Sequence, residues 1–402
     1  MKQLLNISSD FYFYLLLGLL FLVNLTIAGS YILFTLLLIG LIIYLFREKK
    51  LPPAPRFYKY LLIYILFSLV STIFSIDKLN SLIDNKEFFA FLLVPVVLLI
   101  INSEKRRLYS LYAVLASALL SASIGIIQTI IKGGVSLDYR LKGLTSHWMT
   151  YSGLLMFAFI FFVVYLFYEK RKKTKIALII VSAVILVPIL LSLTRSMWVG
   201  IFAALGIFIV YFKPKILYIA VPGIIILFFL LPQSVKSRIT SIFDPANATN
   251  KDRIYMVSTG IKIFKDYPLT GVGPNNVKKV YPQYKPAEAE FDNPHLHNNF
   301  LNVLAERGIL ALLSLIAAFI AIFVFLVKKI KNSGAEEKRI ALGVLFLFFG
   351  FLVTGLFEYN FGDAEIKFSL FYFLSIPFLQ LSEAGPTSPP HVVGSAGVEK
   401  ES

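Results

Sequence analysis

Residues 309–327 read ILALLSLIAAFIAIFVFLV, an apolar run of 19 residues without a charged side chain. A run of about 18 or more apolar residues is long enough to cross a bilayer as a helix. The whole chain repeats this pattern, since 57% of its 402 residues are hydrophobic and only 15% are charged. Soluble proteins carry about 25% charged residues. The sequence therefore predicts an all-α polytopic membrane protein.

We predict about twelve transmembrane helices, with a long loop between the ninth and the tenth. This divides the chain into nine helices in residues 1–231, a loop at 232–298 and three helices in 299–381. The first apolar run lacks a clear small-residue cleavage site, so we expect a retained span. Residues 382–402 are expected to be a disordered tail and are excluded with His391. The predicted spans are 11–28, 31–46, 57–76, 88–101, 108–131, 150–168, 175–193, 197–212, 215–231, 299–327, 340–357 and 364–381.

Lysines and arginines alternate between rich and poor loops along the chain. One set of short loops contains 20 of these residues and the alternate set contains 6. Because cytoplasmic loops carry the excess, we place the rich set and both termini in the cytoplasm. Most of the net charge of +16 is then a topology signal, and no nucleic-acid partner is needed to explain it. The loops predicted on the far side are 132–149, 193–197, 232–298 and 358–365.

The loop at 232–298 is long enough to be folded or functional. Residues 250–266 have an amphipathic helical pattern, with a cap predicted at Thr249 or Asn250. We expect this helix to lie along the membrane surface, with Arg253 near its start. A turn-rich segment and then an extended stretch are predicted over 271–294.

Three histidines outside the tail fall on the far side of the membrane: His147, His295 and His297. Imidazole is the side chain best suited to proton transfer near neutral pH. Asn298 or Asn299 can cap the next span, which would hold His297 at the mouth of the helix bundle. The simpler interpretation of each histidine is a solvated loop residue, and we favour it for His147 and His295.

Three arginines on the same side are candidates for binding an anion. Arg195 stands in the very short connection SLTRSMW at 192–198, where a charge is costly unless it faces a polar cavity or a partner. Its planar fork suits phosphate. A simpler interpretation is an arginine that reaches the lipid headgroups. For Arg253 and Arg140 the simpler interpretation is an exposed charge.

Several common catalytic patterns are missing from the sequence. It contains no Walker loop, GxSxG, HExxH or Asp-x-Asp pair, and it has no cysteine. Asp363 and Glu365 form the nearest acidic pair, and we expect them to cap the last helix. No chain of ionisable residues runs through the spans, which weakens the case for an ion-coupled pump.

Several short segments together resemble one known family. They are residues 192–198, Arg253, residues 265–273, the stretch HNNFL at 297–301 and the triplet ERG at 306–308. In this order and spacing they resemble the O-antigen ligase and polymerase superfamily. The resemblance covers roughly residues 180–327, and the rest of the chain matches through the number of spans and the place of the long loop.

The resemblance implies a metal-independent, cofactor-free, inverting glycosyltransferase of the GT-C type in the bacterial inner membrane. Its donor would be a glycan on undecaprenyl diphosphate, used on the periplasmic face. The acceptor is a lipid A-core sugar for a ligase and another lipid-linked glycan for a polymerase. His297 would be the catalytic base, and Arg195 and Arg253 would hold the diphosphate. Supporting candidates are Arg140, Glu306 and His295.

Among these activities we favour the O-antigen ligase. A polymerase or a protein O-oligosaccharyltransferase of the same fold are alternatives, and a lipid flippase or transporter is an alternative from another class. The long loop that contains Arg253 and ends in His297 discriminates between the classes, because a flippase has no need of a histidine at a helix mouth.

Overall fold

The computed structural model describes residues 9–381, and every regular element within them is a helix. The predicted all-helical class is confirmed, while the predicted tail at 382–402 lies outside the described residues.

Four short 3-10 segments cover Asn85–Leu92, Pro214–Ile216, Asn360–Gly362 and Ile376–Phe378. The α-helices are α1 (Ser9–Leu22), α2 (Ile27–Glu48), α3 (Tyr58–Ile73), α4 (Lys78–Asp84), α5 (Leu93–Ile100), α6 (Glu104–Ile131), α7 (Trp148–Leu166), α8 (Lys172–Leu191), α9 (Arg195–Phe212), α10 (Leu217–Leu230), α11 (Gln233–Thr240), α12 (Ala248–Asp266), α13 (Val277–Tyr284), α14 (Asn299–Asn332), α15 (Ala335–Thr354) and α16 (Ala364–Ser375).

Six described helices are long and apolar enough to cross a membrane, namely α2, α6, α7, α8, α9 and α14. The pair Pro214–Leu230 and Gln233–Thr240, bent by 118°, would add a seventh span if it counts as one. The chain is thus a multi-pass membrane protein, whereas the number twelve stays a prediction. Some predicted spans are divided in the structure. Residues 88–101, for example, are shared between a 3-10 segment and the eight-residue α5.

Helix α7 lies at the centre of the bundle. Of its most apolar 18-residue window, 83% is buried, as expected for a helix that is hydrophobic all round. It packs against α8, α9 and α15, and α14 packs against α3, α12 and α15. Helix α10 lies at the periphery and has no buried residue.

Helix α14 is broken at Gly308, where φ is 77° and ψ is −179°. The segment 268–273 of the long loop fills the break. The Val272 N–H donates to the Ala305 carbonyl at 3.0 Å, and the Ile309 N–H donates to the Pro268 carbonyl at 3.0 Å. Backbone groups freed inside a membrane helix need such partners, because no water is available to them. The break is therefore built by two distant segments together.

Two glycines allow this close approach. A Cβ at Gly308 would lie 2.1 Å from the Leu269 carbonyl oxygen, and a Cβ at Gly271 would lie 2.3 Å from the Glu306 carbonyl carbon. Both glycines also have positive φ, a region that other residues enter at a cost. Gly271 and Gly308 thus have one shared structural purpose.

The long loop 232–298 contains three helices, α11, α12 and α13. A small apolar cluster holds it together and joins it to α14: Met256, Ile263, Val272, Val277, Val280, Tyr281, Leu296 and Ala305. The extended stretch predicted after the turn-rich segment 271–276 is wrong where α13 forms. The spacing of Val277, Val280 and Tyr281 puts three apolar side chains on one helical face.

Helix α12 begins two residues before the predicted start. Its cap is Asn247, whose side chain accepts from the Thr249 N–H, so the caps predicted at Thr249 and Asn250 are wrong. Ile254, Val257 and Ile261 are exposed, while a neighbouring face packs inward. An exposed apolar face is typical of a helix on a membrane surface, and that position of α12 stays a prediction.

Candidate active site

A cavity of about 590 Å³ lies between the start of α9, the connection from α11 to α12 and the turn before α14. Arg195, Arg253 and His297 all line it. Three residues proposed from separate parts of the sequence are therefore brought together. The apolar part of the lining consists of Val199, Ile242, Phe243, Pro245, Ile254, Val257, Leu296, Leu356 and Phe357.

His297 is joined to a carboxylate that the sequence analysis missed. Its Nδ1 lies 2.7 Å from Glu358 Oε2, and the Glu358 side chain is only 3% exposed. An ionised carboxylate can only accept, so Nδ1 carries the proton of a neutral ring and Nε2 has its lone pair free. This is the tautomer that a general base needs.

The backbone at His297 is held in an uncommon conformation, with φ of 42°. Residues other than glycine seldom adopt positive φ, and such strain clusters at functional sites. The His297 N–H donates to His295 Nδ1 at 3.4 Å. On the other side, Asn298 caps α14 by accepting from the Phe300 and Leu301 N–H groups at 2.9 Å each. The predicted cap at Asn298 is confirmed.

Glu358 connects the histidine to an arginine. Its Oε1 accepts from Arg253 Nη2 at 2.9 Å and from Ser196 Oγ at 3.2 Å. Burial alone would raise the pKa of Glu358, but the hydrogen bond from His297 and the nearby positive charges outweigh it and lower that pKa. The group is thus ionised at neutral pH. Its sequence signal is a lone glutamate directly after the span predicted at 340–357.

Arg195 is buried at 5% exposure and begins α9. Its fork donates to four neutral groups: the Ser241 carbonyl at 2.8 Å, Ser241 Oγ at 3.1 Å, Thr249 Oγ1 at 2.7 Å and Asn250 Oδ1 at 2.8 Å. Within residues 9–381 no carboxylate lies within ion-pair distance of it. The guanidinium is therefore oriented without being neutralised, beside a helix N-terminus that itself favours anions.

Arg238 on α11 is a second functional candidate that the sequence analysis missed. It is 8% exposed, and its Nε donates to the Leu193 carbonyl at 3.3 Å. Leu193 has φ of 55°, so this bond fixes the strained turn immediately before Arg195. In a loop with several basic residues, the sequence offered no signal that set Arg238 apart.

Arg140 and His147 lie nearby but do not line the cavity. Arg140 stacks over the Trp148 ring at 4.9 Å. Burial lowers its pKa, and the charge of Glu358 opposes that change. His147 caps α7, since its Nδ1 accepts from the Met149 N–H at 3.2 Å. A structural role as a helix cap thus suffices to explain His147, although it is half-buried and not the solvated loop residue of the simpler interpretation.

His295 is half-buried beside His297, with ring centroids 4.3 Å apart. Burial, followed by the charge of His297, lowers its pKa to about 4. It is therefore neutral at neutral pH and suited to supporting the His297 backbone.

The structure places Glu306 outside the cavity. It is buried beside Arg307, in a separate cluster where Arg307 also pairs with Glu87 and Asp84. Lys367 joins this cluster through Glu87.

The acidic pair predicted to cap the last helix behaves differently. Asp363 stands at the cap position of α16 but makes no capping bond, because its Oδ2 accepts from Thr150 Oγ1 at 2.8 Å. Glu365 lies in the first turn of the helix. Among the residues described, no group of three or more His, Asp or Glu side chains is arranged to hold a metal ion.

The fold and the cavity define a multi-pass membrane protein with a basic site beside a histidine–carboxylate pair. Residues 181–316 match the family model described as O-antigen ligase, and this range includes Arg195, Arg253 and His297. This match confirms, over that part of the chain, the resemblance found in the sequence. It is also similar to an uncharacterized protein of Haemophilus influenzae, with 24% identity over 394 residues that cover 89% of this chain and 95% of that protein.

Proposed function

We propose that the chain is an O-antigen ligase that transfers a glycan from undecaprenyl diphosphate to a sugar hydroxyl of the lipid A-core. One observation carries the proposal. The His297–Glu358 pair and the guanidinium groups of Arg195 and Arg253 face one cavity. A base for a weak nucleophile and cations for a diphosphate leaving group are what this reaction requires.

In the proposed reaction, His297 Nε2 removes the proton of the acceptor hydroxyl as its oxygen attacks the anomeric carbon. The bond from that carbon to the diphosphate oxygen breaks on the opposite face, and its electron pair stays on the diphosphate. Displacement by a single acceptor inverts the anomeric centre. Glu358 stabilises the imidazolium that forms, without taking its proton.

The apolar lining suits the lipid part of such a donor. Ile242, Phe243, Ile254, Leu356 and Phe357 are among the apolar residues that line the cavity. Several of these side chains are also exposed, including Phe243 at 82%. An isoprenoid chain leaving the cavity between them would run toward the surrounding bilayer.

The reaction is tested with purified protein, a lipid-diphosphate glycan and two acceptors offered separately. A glycosylated lipid A-core, absent with His297→Ala, supports the ligase. Elongation of the lipid-linked glycan alone would identify a polymerase. No covalent product with either acceptor, together with glycolipid movement across vesicles, would place the chain in the flippase class.

The proposal also needs the site on the periplasmic face. The native chain has no cysteine, so single cysteines report location cleanly. Glu290→Cys in the long loop and Lys172→Cys at the start of α8 replace exposed residues. In intact cells an impermeant maleimide should label the first and not the second. The reverse pattern would put the site in the cytoplasm and exclude the proposed reaction.

A further inference from the structure

The most deeply buried arginines of the described residues fall into two groups. In the first, a carboxylate lies within 4.0 Å of each buried or nearly buried guanidinium: Arg106, Arg107, Arg307 and Arg339. Arg195 and Arg238 are buried to a similar degree. Yet neither Arg195 nor Arg238 has a carboxylate within 4.0 Å among residues 9–381. The half-buried Arg140 also lacks one.

Of these three arginines, Arg195 lines the cavity, and Arg238 lies next to it, bonded to the Leu193 carbonyl in the turn before Arg195. The nearby carboxylate, Glu358, is already shared between His297 and Arg253. Burying a guanidinium without a counter-ion is costly, and breaking such pairs elsewhere in proteins is strongly destabilising. Repulsion adds to this cost, because the charges of Arg195, Arg140 and Arg253 all act on Arg238. The site therefore holds an excess of positive charge that a bound anion would relieve.

We propose that Arg238 is a third guanidinium of the diphosphate site, and that the site is matched to the departing lipid diphosphate rather than to the intact donor. This inference rests on the proposed function. When the glycosidic bond breaks, its electron pair stays on the diphosphate, which gains one negative charge. A third cation, in addition to Arg195 and Arg253, would mainly stabilise this extra negative charge as it forms.

The local structure couples Arg238 to Arg195. The Arg238 Nε holds the Leu193 carbonyl, two residues before Arg195. In the other direction, Arg195 binds the carbonyl and hydroxyl of Ser241, three residues after Arg238. Each guanidinium is thus anchored on the segment that carries the other, so both are held in place before a ligand arrives. Such preorganisation is what makes charge stabilisation effective.

The test measures binding of two lipids without a glycan, undecaprenyl diphosphate and undecaprenyl monophosphate, to the full-length protein in detergent by titration calorimetry. The wild type should bind the diphosphate more tightly. Arg238→Gln should weaken diphosphate binding about ten- to a hundredfold, the usual size for a lost charge-assisted hydrogen bond, and change monophosphate binding much less. Lys236→Gln is the matched control. It removes the same charge from the same helix, at a side chain that bonds the Phe229 carbonyl instead.

Arg238 could instead serve only to pin Leu193, and Arg238→Lys separates the two roles. Lysine keeps the charge but loses the Nε–H that binds Leu193, so the proposal expects the preference for diphosphate to persist within a few-fold. Loss of that preference in Arg238→Lys, or unchanged diphosphate binding in Arg238→Gln, would overturn the proposal. Binding needs no glycosyl transfer, so this result is independent of whether the chain acts as a ligase.

Discussion

Two glutamates in this protein, the partly buried Glu87 and the buried Glu358, each bridge two basic groups in different regions. Glu87 lies between Arg307 and Lys367, near the break in α14. Glu358 lies between Arg253 and His297, at the cavity. The geometry is similar, with both carboxylate oxygens occupied. The difference is that Glu87 binds an arginine and a lysine, whereas Glu358 binds an arginine and an imidazole.

That difference separates a structural cluster from a reactive one. Around Glu87 the charges compensate each other, and Asp84 adds a second carboxylate 3.3 Å from Arg307. Around Glu358 the imidazole can gain and lose a proton, and the neighbouring Arg195 has no carboxylate partner among the residues described. We expect substitutions in the first region to change stability and substitutions in the second to change the reaction.

The largest effect is expected for His297→Ala. Removing a general base should lower the single-turnover rate about a hundred- to ten-thousandfold while donor binding stays nearly intact. Rates and donor affinities measured in one detergent check this. Because φ at His297 is positive, His297→Asn is a useful second variant, since asparagine tolerates that region. Loss of donor binding in both would make His297 a phosphate ligand instead of the base.

The next effect concerns stability. Arg307→Met leaves Glu87 and Asp84 without their main partner and should destabilise the protein by about 3–5 kcal/mol. Arg195→Met strands no carboxylate and should leave the unliganded protein about as stable as before, but it should weaken donor binding. Thermal unfolding of both variants without ligand gives the comparison. Equal losses of stability would contradict the distinction between the two regions.

A smaller effect is expected for Glu358→Gln. The amide keeps the size of the side chain but not the charge that stabilises the imidazolium, and the rate should fall about ten- to a hundredfold. The protonated ring then loses its stabilising partner, so the acidic limb of the pH–rate profile should move to lower pH. Glu87→Gln is the matched control, and it should leave the profile unmoved. An unshifted profile for Glu358→Gln would remove Glu358 from the mechanism.

The smallest expected effect is that of EDTA, which should leave transfer unchanged. Both Glu358 oxygens are engaged by protein groups, and guanidinium groups supply the positive charge that a divalent ion would otherwise supply to a diphosphate. Transfer assayed with EDTA, and again after adding magnesium, tests this. Activity lost in EDTA and restored by magnesium would require carboxylate ligands that this cavity does not offer in the described residues.

The sequence predicted the helical class and three of the residues that line the cavity, because apolar runs and short ordered motifs are local signals. Glu358 escaped notice because its connection to His297 is made only by folding. The Asn299 N–H donates to the Gly355 carbonyl at 2.7 Å, and the Phe361 N–H donates to Asn299 Oδ1 at 2.9 Å. These bonds join segments about 60 residues apart. The roles of His297, Arg195 and Arg253 stay predictions.

The break in α14 is a second feature that local sequence patterns could not predict. Gly308 was part of a short motif, yet nothing nearby in the sequence states that residues 268–273 supply the missing backbone partners. Arg238 was unremarkable for a similar reason, since its lack of a carboxylate partner is a property of the folded chain. Local patterns thus predicted elements, while the contacts between distant segments determined the site.

Because the long loop fills the break in α14, the loop and the helix depend on each other during folding. Residues 268–273 are synthesised before α14. Until α14 has been made, the Val272 N–H lacks its partner, the Ala305 carbonyl. When α14 enters the membrane, its unpaired groups at Ala305 and Ile309 are stable only once that segment has docked. We therefore expect insertion of the helix and folding of the loop to be coupled. A chain that stops before Gly308 would also lack Glu358, although Arg195 and His297 had already been made.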